Sequence, residues 1–114
     1  MKRISTHILD MMSGKPAQGI LVRLEKHDAA GDWRVLSSAR SDNDGRCPEM
    51  LPEDADLSVG TYRLSFDVED YFALQKINAL YPVVEIVFKT RPGESHFHIP
   101  LLLSPNGYTT YRGS

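Results

Sequence analysis

The sequence predicts an all-β fold, a sandwich of two sheets with about eight strands and one short helix. Three observations carry that expectation. Short segments alternating apolar and polar residues recur along the chain, clusters of Gly, Pro, Asn, Asp and Ser separate them, and only one stretch places apolar residues at helical spacing. Alternation with a period of two gives each strand one face for a core and one for water. Strands at such short intervals suit a sandwich and leave little room for the crossover helices of an α/β fold.

The elements follow in order. Ile4 to Leu9 reads as the first strand, stopped by Ser13-Gly14-Lys15-Pro16. In Ile20 to His27 the residues Ile20, Val22, Leu24 and Lys26 alternate with Leu21, Arg23, Glu25 and His27, and an Asp28-to-Asp32 turn leads into a hairpin partner from Trp33 to Ala39. Ser41 to Arg46 is a turn by composition, because Asp, Asn and Gly tolerate the dihedrals a turn requires. Gly60 to Val68 places Tyr62, Leu64, Phe66 and Val68 on one face. From Glu69 to Leu80 the alternation breaks. Tyr71, Leu74 and Ile77 suggest a helix there, with Asp70 as its cap and Pro82 beyond its end. Val83 to Phe88 is β-rich, Arg91 to Glu94 is a turn, and two strands around Ser104-Pro105-Asn106-Gly107 close the chain.

A chain of 114 residues is expected to form one domain, residues 1–114, large enough for a hydrophobic core. An apolar fraction of 41% and a charged fraction of 25% fit a soluble globular protein. The 13 basic and 15 acidic residues form no long run of either sign, so the electrostatic footprint of a nucleic-acid binder is missing and a small-molecule partner is favoured. No segment reaches the ~20 apolar residues of a membrane span, and no signal-peptide pattern follows Lys2 and Arg3. A cytoplasmic location is the simplest expectation. The single cysteine, Cys47, excludes an internal disulfide and reads as a partly buried loop thiol.

The end of the chain concentrates chemistry. In an extended strand His96 and His98 share one face, opposite Phe97, Ile99, Leu101 and Leu103 on the core side. Tyr108-Thr109-Thr110-Tyr111-Arg112-Gly113-Ser114 follows directly after a turn, with a Tyr and an Arg and no acid. On the first strand the same parity turns His7 away from the core if Ile4, Thr6 and Ile8 face it.

Several segments together resemble the 5-hydroxyisourate hydrolases, transthyretin-related enzymes of purine breakdown. They are Ser5 to Asp10, Gly14 to Ala17, Asp44-Gly45-Arg46, Tyr81 to Phe88, and the stretch from His96 to Ser114. The closing Tyr111-Arg112-Gly113-Ser114 is the most specific part, since the hormone-carrying transthyretins lack it. The resemblance implies a transthyretin-like sandwich assembled as a homotetramer, a dimer of dimers whose interface encloses a channel lined by the active sites. It places the family's catalytic positions on His7, Arg46, His98 and the tetrapeptide beginning at Tyr111. It puts His96, Arg112, Gly113 and Ser114 beside the substrate, and it implies no cofactor and no metal. Phe97 stands where many members have Tyr.

The reaction so implied is the opening of a cyclic amide of 5-hydroxyisourate by water. Amide hydrolysis requires a base for the water, a cation for the oxyanion and an acid for the leaving nitrogen. Imidazole suits proton transfer near neutrality. His7 is the leading candidate for water activation and His98 for positioning or proton return, although sequence does not divide the acid and base roles. Arg46 suits the oxyanion, because its planar fork presents several donors at fixed charge. Four other readings compete. His7, His96 and His98 would supply a zinc site, but no outer acceptors for the imidazoles are identifiable. Ser5 or Ser114 would supply a nucleophile, but neither sits in a nucleophile turn. A non-catalytic carrier of transthyretin type, binding a hydrophobic ligand in the same channel, predicts apolar or non-titrating residues where His7, His98 and Tyr111 stand, and an interaction module predicts no concentration of titratable groups on one non-core face.

Overall fold

The computed structural model describes residues 2–55 and 57–114. The alternating segments become strands whose apolar faces meet in one core. In chain order they are β1 (Arg3–Asp10), β2 (Lys15–Pro16), β3 (Leu21–His27), β4 (Trp33–Arg40), β5 (Arg46–Cys47), β6 (Thr61–Asp67), α1 (Glu69–Ala73), β7 (Val83–Lys89), β8 (His96–Ser104) and β9 (Gly107–Thr110). One sheet has the order β4-β3-β6-β7 and is antiparallel throughout. The other runs β2-β1-β8-β9, with β5 pairing the same edge of β1 as β2 does. Its central pair, β1 and β8, is parallel.

The core lies between the sheets. Ile4 and Ile8 of β1, Val22 and Leu24 of β3, Tyr62, Leu64 and Phe66 of β6, Val84 of β7, and Phe97, Ile99, Leu101 and Leu103 of β8 are all buried. Thr6 shares the core face of β1, and its hydroxyl donates to the Ile99 carbonyl at 2.6 Å, so the polar group is satisfied where water cannot reach it. Cys47 is also buried, in β5 rather than in a loop, and burial pushes its thiol up to about 11.

The outer face of the four-stranded sheet holds a charged network. A bulge in the β3–β4 pairing falls between Leu24 and Glu25. Glu25 accepts from Arg63 Nε at 3.0 Å, Arg63 Nη2 at 2.8 Å and the Ser65 hydroxyl at 2.8 Å. The Arg63 hydrogen bonds hold the Glu25 carboxyl below its usual range against the opposing effect of burial. Trp33 covers the guanidinium, with Arg63 Cζ 4.3 Å from the ring centroid.

The helix is shorter than its spacing predicts. It spans five residues rather than running on to Leu80, and its buried residue is Phe72, while Leu74 is exposed. Asp70 does not cap it; the N-cap is Val68, without a side-chain hydrogen bond. Lys76 adopts φ +59°, which ends helical geometry, and the Ile77 N–H turns back to the Phe72 carbonyl. Tyr71 ties this turn to the end of β1 by donating to Asp10 Oδ2 at 2.7 Å, and burial together with Asp10 pushes its hydroxyl up to about 12.

Candidate active site

The wet face of the β1–β8 sheet forms the site. Parallel register sets Arg3 opposite His96 and Ser5 opposite His98, and β5 sets Arg46 opposite His7 on the other flank of β1. The resulting cleft has a volume of about 420 Å³ and is lined by Arg3, Ser5, Arg46, His96, His98, Arg112, Gly113 and Ser114, with Thr6, Pro48 and Phe97 behind them. No Asp or Glu side chain lines it. The Ser5 hydroxyl lies 2.8 Å from His98 Nδ1, so the ring is oriented from β1 and Nε2 is its unengaged nitrogen.

The turn before β5 positions two further groups. Asp42 Oδ1 accepts from the N–H groups of Asp44 and Arg46, both at 2.9 Å, and the Asp42 carbonyl accepts from the Gly45 N–H at 2.9 Å. Gly45 has φ +76°, and a Cβ there would lie 2.3 Å from the Ile8 carbonyl oxygen. Only glycine brings the turn this close to β1, and the approach is used: the Ile8 N–H donates to the Gly45 carbonyl at 2.7 Å. One residue earlier, the Asp44 carbonyl accepts from His7 Nε2 at 2.8 Å. A carbonyl is only an acceptor, so neutral His7 carries its proton on Nε2 and presents Nδ1 as the basic nitrogen.

The chain end lies along β8. Thr110 stands opposite Leu101 and Gly113 opposite His98, which is the same register carried three residues further on both strands. The ladder is interrupted between them, because Tyr111 falls opposite Pro100, which has no N–H to donate. The Thr110 hydroxyl takes the Pro100 carbonyl instead, at 2.7 Å. Beyond the gap, the Gly113 N–H donates to the His98 carbonyl at 2.8 Å. Arg112 anchors this segment by an ion pair with Glu94, a 2.8 Å hydrogen bond from Nη2 to the His96 carbonyl, and a cation–π contact 4.6 Å over Phe97.

Electrostatics favour a neutral imidazole at the centre. Burial first, then Arg46, His7 and Arg3, hold His98 below its ordinary range. An uncharged His98 beside free guanidinium groups has the form needed to exchange a proton with a bound substrate near neutrality.

Of the residues singled out from sequence, the structure brings Arg46, His96, His98, Arg112, Gly113 and Ser114 together around the cleft, with His7 beside Arg46. Tyr111 is 54% exposed and does not line it. The described residues contain no group of three His, Cys, Asp or Glu side chains arranged to hold a metal ion, so His7, His96 and His98 do not converge as the zinc reading requires. Ser5 is mostly buried and engages His98 from a straight strand. Arg3 is the cleft residue that sequence reasoning misses. Its signal is parity, since residues 3, 5 and 7 of one strand share a face.

The HIUase/Transthyretin family model matches residues 4–113. The 5-hydroxyisourate hydrolase of Mus musculus is 45% identical over 112 residues, covering 97% of this chain and 94% of that protein. Among solved structures, the 5-hydroxyisourate hydrolase of Klebsiella pneumoniae superposes with a TM-score of 0.85 at 34% identity, covering all of both chains. The transthyretin of Sparus aurata gives 0.91 at 29% identity, covering 99% of this chain and 97% of that one. With its two sheets, its single helical turn and a match that runs from β1 to Gly113, the chain belongs to the HIUase/Transthyretin family.

Proposed function

We propose that this protein is a hydrolase that opens the cyclic amide of 5-hydroxyisourate. The observation that carries the reading is the juxtaposition of an oriented His98, held below its ordinary range, and an Arg46 guanidinium without a partner among the described residues in one small cleft, with His7 beside Arg46 presenting its basic nitrogen. The curated relatives bear the same activity in their names. A carrier of transthyretin type would have apolar or non-titrating groups at these positions.

In the proposed reaction His7 Nδ1 takes a proton from water as the water oxygen attacks the amide carbonyl carbon. Arg46 donates hydrogen bonds to the oxyanion, whose charge it matches without having to move into place. The C–N bond then breaks as the proton taken up by His7 passes by way of His98 to the leaving nitrogen, the new carboxylic acid releases its own proton to solvent, and a carboxylate and a ureido group result, as in 2-oxo-4-hydroxy-4-carboxy-5-ureidoimidazoline. His96, Arg112, Gly113 and Ser114 form the wall that seats the ring. No cofactor or metal takes part in this scheme.

The domain, residues 1–114, would work as a homotetramer, a dimer of dimers. Two features support assembly: β7 and β9 are sheet edges, and Val83, Val87, Tyr108 and Tyr111 on or beside them are exposed. Tyr111 would then meet substrate across a subunit boundary. We place the enzyme in the cytoplasm; no helix among the described residues is long and apolar enough to cross a membrane. The test is to mix purified protein with freshly generated 5-hydroxyisourate and follow its ultraviolet decay. Decay faster than the spontaneous rate is expected, and an unchanged rate would overturn the proposal.

A further inference from the structure

Among the described residues, two of the three arginines lining the cleft have no hydrogen-bond or ion-pair partner for their guanidinium groups. Arg112 is committed to Glu94, the His96 carbonyl and Phe97. Arg46 and Arg3 are engaged through the backbone only, Arg3 by its N–H to the Ser95 carbonyl at 2.7 Å. Arg3 is also half-buried. An unpaired cation in such a place, beside other cations and with no Asp or Glu side chain among the residues lining the cleft, gains from an anion that enters it; Glu49 and Glu53 share a neighbouring pocket with Arg3 but form no ion pair with it.

Position along β1 indicates what Arg3 meets. Arg46 stands level with His7 and Arg3 lies four residues earlier, so at about 3.3 Å per residue the two guanidiniums approach from ends roughly 13 Å apart, with Ser5 and His98 midway. Arginine side chains are long enough to close on a small flat molecule seated between them.

We infer that Arg3 is a second substrate-binding residue, which donates hydrogen bonds to the anionic or carbonyl oxygens of a flat heterocycle at the end of the cleft remote from Arg46. This rests on the proposed hydrolysis, in which Arg46 serves the reacting carbonyl. Arg3 therefore binds ground state and transition state alike, and its loss acts on KM rather than on kcat. It also helps to keep His98 neutral, together with burial, Arg46 and His7; the other charged or titratable groups around the cleft are His96 on the same strand, Arg112, and the α-carboxylate of Ser114, which acts in the opposite sense.

The experiment compares wild type with Arg3→Gln and Arg3→Lys in steady-state hydrolysis of 5-hydroxyisourate. In parallel, NMR of the His98 ring follows its titration and the binding of urate, a flat anion that is not hydrolysed. Arg3→Gln is expected to raise KM and weaken urate binding by ~10-fold or more, the effect of losing hydrogen bonds from a charged donor, with kcat within a few-fold. The His98 midpoint should move to higher pH, and Arg3→Lys should recover part of each loss. Unchanged KM and urate affinity in a folded Arg3→Gln protein would overturn the assignment. A wild type that binds urate without hydrolysing 5-hydroxyisourate would overturn the proposed function, while weaker urate binding by Arg3→Gln would still sustain the role of Arg3. A wild type that does neither would overturn both.

Discussion

Gly113 lies against the imidazole of His98 so closely that a Cβ would stand 2.5 Å from Cδ2 and 3.1 Å from Pro100 Cγ. The same residue donates its N–H to the His98 carbonyl. Backbone and ring are thus packed together, and a side chain at 113 must push one of them aside. Gly113→Ala is therefore expected to lower turnover at least ~10-fold through displacement at the site, while thermal unfolding stays near wild type because the buried face of β8 is untouched. Activity within twofold of wild type would show that the contact has slack.

Arg46 is exposed and its side chain has no partner among the described residues, so its removal costs the fold little. Arg46→Ala should retain the wild-type circular dichroism and lose ~10²-fold or more in kcat, the usual penalty for deleting a preorganised oxyanion partner. Near-normal turnover would take the residue out of the mechanism.

Acidity offers a separate handle. His98 is held below the ~6.5 of an unperturbed histidine, so its neutral form survives to lower pH than that of a free imidazole. The His98 contribution to the acid limb of the pH–rate profile should accordingly lie below that value. Between the folded and unfolded pKa values the unfolded chain binds a proton that the folded chain does not, so this group's contribution to stability falls as pH drops through that window. His98→Asn and His7→Asn are each expected to lose ~10²-fold in turnover. A rate that is flat through the histidine range would argue against imidazole proton transfer.

The chain end can be tested by truncation after Thr110. Four residues are then lost, but Phe97, Ile99, Leu101 and Leu103 keep their core contacts, so a folded and inactive protein is expected. Light scattering separates a chemical role for the segment from one in assembly, and full activity would remove it from the site.

Stability should depend on the opposite sheet instead. Glu25→Ala strands Arg63 beneath Trp33, with Glu85 at 3.7 Å as its remaining carboxylate. Chemical denaturation should register a loss of about 3 kcal/mol, with kcat unaltered because no part of this network reaches the cleft.

The sandwich was legible because most strands show their burial as alternation: Tyr62, Leu64 and Phe66 are inside as written, and His96 and His98 share the wet face opposite Phe97 and Ile99. What escaped has physical causes. β2 and β5 are two residues long and too short to display a period, so both were read within turns. The spacing of Tyr71, Leu74 and Ile77 extends the expected helix too far, because nothing in the identity of Lys76, a good helix former, announces a left-handed φ. In sequence Arg3 is one of two basic residues near the start, and only its pairing with His96 shows that it belongs to the cleft. The Ser5–His98 hydrogen bond depends on parallel pairing between strands 93 residues apart, which no local pattern encodes.

That parallel pairing has a further consequence. Along β1 Ile4, Thr6 and Ile8 lie on the core face, while Arg3, Ser5 and His7 lie on the other, where Arg3 and Ser5 line the cleft. A slip of one position against β8 would drive Ser5 and His7 into the hydrocarbon interior and expose Ile4 and Ile8. The chain therefore has no cheap misthreaded form that keeps its core while scrambling its chemistry. In evolutionary terms, selection for a stable interior also proofreads the placement of the reactive groups, and insertions or deletions within β1 are closed to drift.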